Sequence, residues 1–100
     1  MLPLERGFRT TLAAHGETLT FRGSPVHAIV RRDVESESPG EHSVGVGERA
    51  RVEIECLRSA ITGDRPQAQE WWDTADGEHF RAVRVTRRGV TWFCEAVVSE

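Results

Sequence analysis

Apolar and polar positions alternate with period two through most of the second half of the chain. From Trp71 to Val98 it reads WWDTADGEHFRAVRVTRRGVTWFCEAVV. Two turn signals, Asp76-Gly77 and Arg87-Arg88-Gly89, divide this stretch into three strand-like runs, because Gly adopts positive φ without a Cβ clash. Val83 and Val85 are expected on one side of the middle run, and Val90, Trp92, Cys94, Ala96 and Val98 recur on one face of the last. The pattern predicts a meander of antiparallel strands. Upstream, Val52, Ile54 and Cys56 alternate with Arg51, Glu53 and Glu55, the cleanest half-buried strand in the sequence. The runs Glu17–Arg22 and Val26–Val30 read as a hairpin broken at Gly23-Ser24-Pro25. Pro25 lacks an amide donor and belongs at the turn or on an edge.

The period lengthens at the N-terminus. Leu4, Phe8 and Leu12 recur every four residues, Pro3 suits a first helical turn, and Gly16 stands where a helix ends. Residues 1–16 are therefore expected to form a short helix laying this stripe on a sheet, or an arm that orders on meeting a partner. Two stretches have no clear period. Val34 to Arg49, VESESPGEHSVGVGER, holds four acidic residues against one Arg and reads as a long, flexible acidic loop. In residues 59–73, Asp64 can cap a helical turn over Arg65 to Glu70, or the segment can be an irregular crossover. Five to six strands and one short helix in a single domain, 1–100, define a mainly β chain: a small antiparallel barrel or sandwich.

Composition narrows the picture. The formal net charge of -3 argues against a dedicated nucleic-acid binder, which carries a basic excess or stripe. All 13 basic residues are Arg, and Lys, Asn and Tyr are absent. Their codons are A/T-rich, so base composition accounts for the bias, although arginine's planar fork also suits interfaces. Cys56 and Cys94 fall at inward positions and read as small buried hydrophobes rather than a disulfide framework. No run of signal-peptide or membrane-spanning length occurs, so a soluble protein made inside the cell is expected.

Candidate chemistry is sparse. Gly45-Val46-Gly47-Glu48-Arg49-Ala50 matches a dinucleotide-binding turn in letters only, since that motif must follow a strand and open a helix. His15, His27, His42 and His79 have no Cys or His at zinc spacing. His79 with Asp73, Asp76 and Glu78 forms a polar patch that reads as solvated surface before it reads as a cation site. No nucleophile elbow surrounds Ser43, and no catalytic residue, cofactor or metal is assigned. Trp71, Trp72, Trp92 and Phe93, with Arg84, Arg87 and Arg88, offer a stacking surface for single-stranded nucleic acid; the plainer reading places most of these rings in the core.

The order of parts resembles the small head-tail joining proteins of lambda-type phages and prophages. The resemblance is carried by the Gly16-Glu17-Thr18-Leu19-Thr20 opening of a strand, the Gly23-Ser24-Pro25-Val26 turn and the long variable loop. It continues through Asp76-Gly77, Phe80, Val83/Val85, Arg88-Gly89 and the run Val90 to Val98. Trp72-Asp73-Thr74-Ala75 departs from the Gly-Asp pair that members often carry there. What the resemblance implies is a non-catalytic structural role in the virion neck after assembly in the bacterial cytoplasm. It further implies a portal or connector protein and a tail protein as partners, self-association into a ring, and proximity to packaged DNA without sequence-specific binding. The surfaces expected to meet partners are Glu35, Glu37, Glu41, His42, Val44 and Val46 in the loop, Leu4 and Phe8 in the N-terminal segment, and Trp71 and Asp76 in the meander.

Overall fold

The alternating runs close on themselves. A computed structural model describes residues 3–32 and 51–99. In it helix α1 (Pro3–His15) precedes strands β1 (Glu17–Phe21), β2 (Ser24–Arg32), β3 (Arg51–Leu57), β4 (Trp71–Thr74), β5 (His79–Arg88) and β6 (Thr91–Ser99). All pairings are antiparallel, and the order β1-β2-β3-β6-β5-β4 returns to β1, giving a closed six-stranded barrel. Closure removes the open edges that a six-strand sheet would otherwise present. The expectation of a small antiparallel β-barrel with one N-terminal helix holds.

Inward positions follow the predicted alternation. Leu19, Phe21, Val26, Ala28, Val52, Ile54, Cys56, Trp72, Phe80, Ala82, Cys94 and Ala96 form one buried cluster, with Val30, Ile61, Val85, Trp92 and Val98 packed against it. Phe21 and Trp72 stack at its centre, ring centroids 4.0 Å apart. A second, smaller cluster lies outside the barrel wall. There Leu12 and Phe8 of α1 cover Ile29, Leu57 and Val90, so the helix does lay its stripe on the sheet. Gly16 ends the helix for a reason of space rather than of φ: a Cβ there would stand 2.7 Å from the Leu12 carbonyl oxygen and 2.8 Å from His27 Nε2.

The turns differ from expectation in three places. The first hairpin turns at Arg22-Gly23, with φ of 54° and 79°, and Ser24-Pro25 already belong to β2. Two consecutive positive φ values make the two-residue turn whose twist matches its strands. Pro25 pairs with Thr20, while the β2–β3 ladder spans Ile29 to Arg32, so its missing donor falls on a stretch without a ladder partner on that side. The last hairpin turns at Gly89-Val90, since β5 continues through Arg88; Val90 packs under the helix instead of in the barrel. Within β5 the register shifts between Ala82 and Arg84, leaving Val83 as the extra residue of a bulge and 50% exposed. Val83 and Val85 therefore do not share a face.

Residues 58–70 form an irregular crossover that opens with a short 3-10 turn, Arg58–Ala60, so Asp64 caps no helix, and Trp71 to Asp73 already belong to β4. Pro66 is fully buried, and Gln69 N–H donates to the Ala82 carbonyl while Ala82 N–H donates to that of Glu70, bringing the chain into β4.

Candidate functional site

The geometry gathers polar chemistry at the two ends of the barrel and on its outer wall. One end carries the Arg22-Gly23 turn, the crossover from Arg58 to Glu70 and the Gly89-Val90 turn. At the other end lie Glu17, Arg32, Arg51 and the loop from Ala75 to Glu78. An arginine latches each end. Arg22 lies over the Phe21 ring, forks onto Glu70 and donates to the carbonyls of Asp64 and Arg65. Arg32 forks onto Glu17 at 2.8 and 2.9 Å, reaches Glu78 at 3.0 Å and sits over the buried Phe80 ring. Hydrogen bonds from these guanidinium groups hold Glu70 and Glu17 below the ordinary carboxylate range, and the same pairs raise both arginines.

Arginine also covers rings elsewhere. Arg58 and Arg65 lie 5.6 and 4.9 Å from the Trp92 centroid, and Arg88 lies 3.6 Å from that of Phe93. The all-arginine composition thus has a structural use, since a planar guanidinium stacks flat on an aromatic face where an ammonium cannot. Period-two patterning does not mark these roles; their one sign in the sequence is an Arg directly after an inward Phe at a turn, Phe21-Arg22.

Among the described residues, the expected contact positions Leu4, Phe8, Trp71 and Asp76 fall on separate elements: α1, β4 and the β4–β5 turn. Glu35, Glu37, Glu41, His42, Val44 and Val46 lie outside the described residues, as does the loop assignment for 34–49. Leu4 falls in the first turn of α1. Phe8 is half-buried against the wall and borders a groove of about 370 Å³ with Gly7, Thr11, Glu55, Arg88, Val90 and Thr91. Inside that groove the Thr91 hydroxyl lies 2.7 Å from Glu55 Oε2 and 2.9 Å from the Arg88 carbonyl. Asp76 is exposed in the β4–β5 turn.

Of the adjacent tryptophans, Trp72 is fully buried and Trp71 is 46% exposed, edge-on to His79 at 6.4 Å. The alternative of a stacking platform does not form, and the plainer reading of these rings fits: Trp72 and Phe93 are buried, Trp92 sits under Arg58 and Arg65, and Arg84 pairs with Glu95 at 3.0 Å. The acidic patch around His79 also divides. His79 Nδ1 lies 2.7 Å from Asp73 Oδ1, whereas Glu78 turns to Arg32. Among the described residues no three His, Cys, Asp or Glu side chains converge as a metal site, and no helix is long and apolar enough to cross a membrane.

Cys56 and Cys94 are both free and buried. The β3–β6 register pairs Ile54 with Cys94 and Cys56 with Trp92, so the two thiols are diagonal neighbours inside the barrel. Burial pushes each up to about 12, leaving neither a nucleophile near neutrality. No family model, curated protein or solved structure matches the chain.

Proposed function

We propose that this chain is a non-catalytic structural protein of a phage or prophage virion. It joins the head to the tail as a subunit of a neck ring between a portal or connector protein and a tail protein. The observation that supports the reading is how the barrel is strung. A helix lies on the outer wall, a first hairpin is parted from β3 by residues 33–50, and a three-strand meander closes the sheet. That is the order of parts from which the resemblance was drawn. A rigid core with both ends latched by arginine suits a subunit that must keep its shape while its neighbours assemble around it.

The competing reading is a barrel that stacks single-stranded nucleic acid on Trp and Arg side chains. It has one exposed tryptophan, Trp71, to work with. The discriminating experiment deletes the gene from its phage or lysogen. Filled heads and tails should accumulate unjoined; the full chain supplied in trans should restore infectious particles, and a chain lacking residues 34–49 should fold but fail to do so. An undiminished yield of infectious particles from the gene deletion sinks the proposal.

A further inference from the structure

Charge is segregated along the barrel axis although the chain as a whole is acidic. The crossover end carries Arg22, Arg58, Arg65 and Arg87 against Asp64, Glu70 and Glu5, which lines a groove with Arg58 but pairs with Arg9. Arg22 is taken up by Glu70, and among the described residues no carboxylate pairs with Arg58, Arg65 or Arg87. The opposite end holds Glu17, Asp73, Asp76 and Glu78 against Arg32 and Arg51. The sequence joined to it, 33–50, adds Asp33, Glu35, Glu37, Glu41 and Glu48 against Arg49.

The arginines with which no described carboxylate pairs are arranged. Arg58 and Arg65 both lie over the Trp92 ring, their guanidinium carbons 5.6 and 4.9 Å from its centroid. Arg58 is held further by Nη1 donating to the Gly89 carbonyl, and its Nε is buried with no partner among the described residues. Arg87 pairs with Trp92 across β5 and β6, which places it on the same inward-facing row at the mouth of the barrel. Around them the backbone turns at Gly23, Gly63 and Gly89, all with positive φ. The two large exposed hydrophobics among the described residues, Trp71 and Val83, lie on the outer wall rather than in this mouth. A protein partner needs an apolar anchor at the centre of its contact. A phosphodiester backbone needs oriented forks and tolerates a polar rim.

We propose that the crossover end of the barrel, through Arg58, Arg65 and Arg87, contacts the phosphate backbone of nucleic acid without reading its sequence. Base stacking has no part in it, because Trp92 serves as the bed for the guanidinium groups. The inference is independent of the joining role, since it concerns the isolated barrel and is measured on it.

The test is a titration of the full isotope-labelled chain with a short oligodeoxynucleotide of mixed sequence at low salt, read by NMR at the arginine Nε–H and Trp92 Nε1–H resonances. Saturable shifts should be confined to Arg58, Arg65, Arg87 and Trp92 and be indifferent to base sequence. With three phosphates contacted, log K should fall against log salt with a slope of about −2 for a single strand, so that affinity drops roughly 15-fold from 50 to 200 mM. The Arg65→Ala/Arg87→Ala double variant should keep the dispersion of the folded spectrum and lose the shifts. An Arg84→Ala variant on the outer wall should retain them. Absence of shifts, shifts spread along the wall, or equal binding of a polyglutamate peptide would each overturn the proposal, the last by assigning this end to an acidic protein.

Discussion

Arg22 holds Glu70 in a two-pronged pair, Nε to Oε2 and Nη2 to Oε1, both at 2.8 Å, from a turn position whose own φ is 54°. A non-glycine residue adopts that φ at a cost, and here its side chain ties the first hairpin to the crossover some 48 residues away in sequence. Arg22→Lys should lower stability by about 1–2 kcal/mol, because one ammonium cannot replace four directed bonds, with the value reduced by partial exposure. Arg22→Ala should cost more than Arg22→Gly by roughly 0.5–1 kcal/mol, since alanine keeps the strained φ and loses the latch, whereas glycine sheds the strain. Urea midpoints at constant slope measure both differences.

The two latches also set an acid limb. Glu70 and Glu17 have folded-state values below their ordinary 4.5, chiefly through hydrogen bonds from Arg22 and Arg32. A depressed carboxylate contributes stability in full above 4.5 and loses it as pH falls through the lower folded value. Glu70→Gln and Glu17→Gln should each be less stable than the parent near neutrality. The gap should close as pH drops below 4.5, and urea unfolding across that range reads the convergence. A constant gap would show that the charge state of these carboxylates is not what stabilises the ends.

The barrel was legible where one face is buried and the other wet. Val52, Ile54 and Cys56, or Leu19 and Phe21, announce their strands because period two leaves one arrangement that hides them. Val83 broke the rule, since a bulge adds a residue without any compositional mark and Val is a good strand residue on either side. Phe93 faces outward yet is buried beneath Arg88, a cover that period two does not show. The crossover was ambiguous because Asp64 and Pro66 are helix-start residues by type, while the burial of Pro66 is a tertiary fact. The arginine latches joined positions far apart in sequence, which no local pattern encodes.

Trp71 and Trp72 should respond oppositely to replacement. Trp72 is fully buried and stacked on Phe21, so Trp72→Ala should cost about 3–5 kcal/mol. Its Nε1 has no hydrogen-bond partner, so Trp72→Phe removes an unsatisfied donor along with bulk and should cost markedly less than truncation to alanine. Trp71→Ala should change stability by less than about 1 kcal/mol, because the ring is already half in water. Thermal or urea melts of the three variants settle the ordering.

Cys56 and Cys94 are diagonal across β3 and β6, an arrangement whose Cα separation of roughly 7–8 Å exceeds what a disulfide spans without backbone movement. Both should titrate as free thiols in denaturant, even after exposure of the native protein to air. In the native state, with each thiol pushed up to about 12, a thiol reagent should react only through opening of the barrel. The labelling rate should therefore rise in step with urea and be slowed by any substitution that stabilises the fold. Fast labelling of the folded chain would contradict the burial of both sulfurs.

Val83 offers the sharpest check on the register. The ladder pairs Ala82 with Ala96, Arg84 with Glu95 and Val85 with Cys94, so the positions on either side of Val83 already alternate correctly without it. Deleting Val83 should leave Phe80, Ala82 and Val85 facing inward and remove only the local twist that the bulge supplies, giving a folded protein weakened by about 1–2 kcal/mol. Deleting Thr86 should be far worse. The strand is continuous beyond it, so the loss would swap Arg87 and Arg88 between faces, pulling Arg88 off Phe93 and disrupting the approach to the Gly89-Val90 turn. Circular dichroism and urea unfolding of the two deletions compare them directly. Equal damage from both would mean that the bulge is itself required to close the barrel.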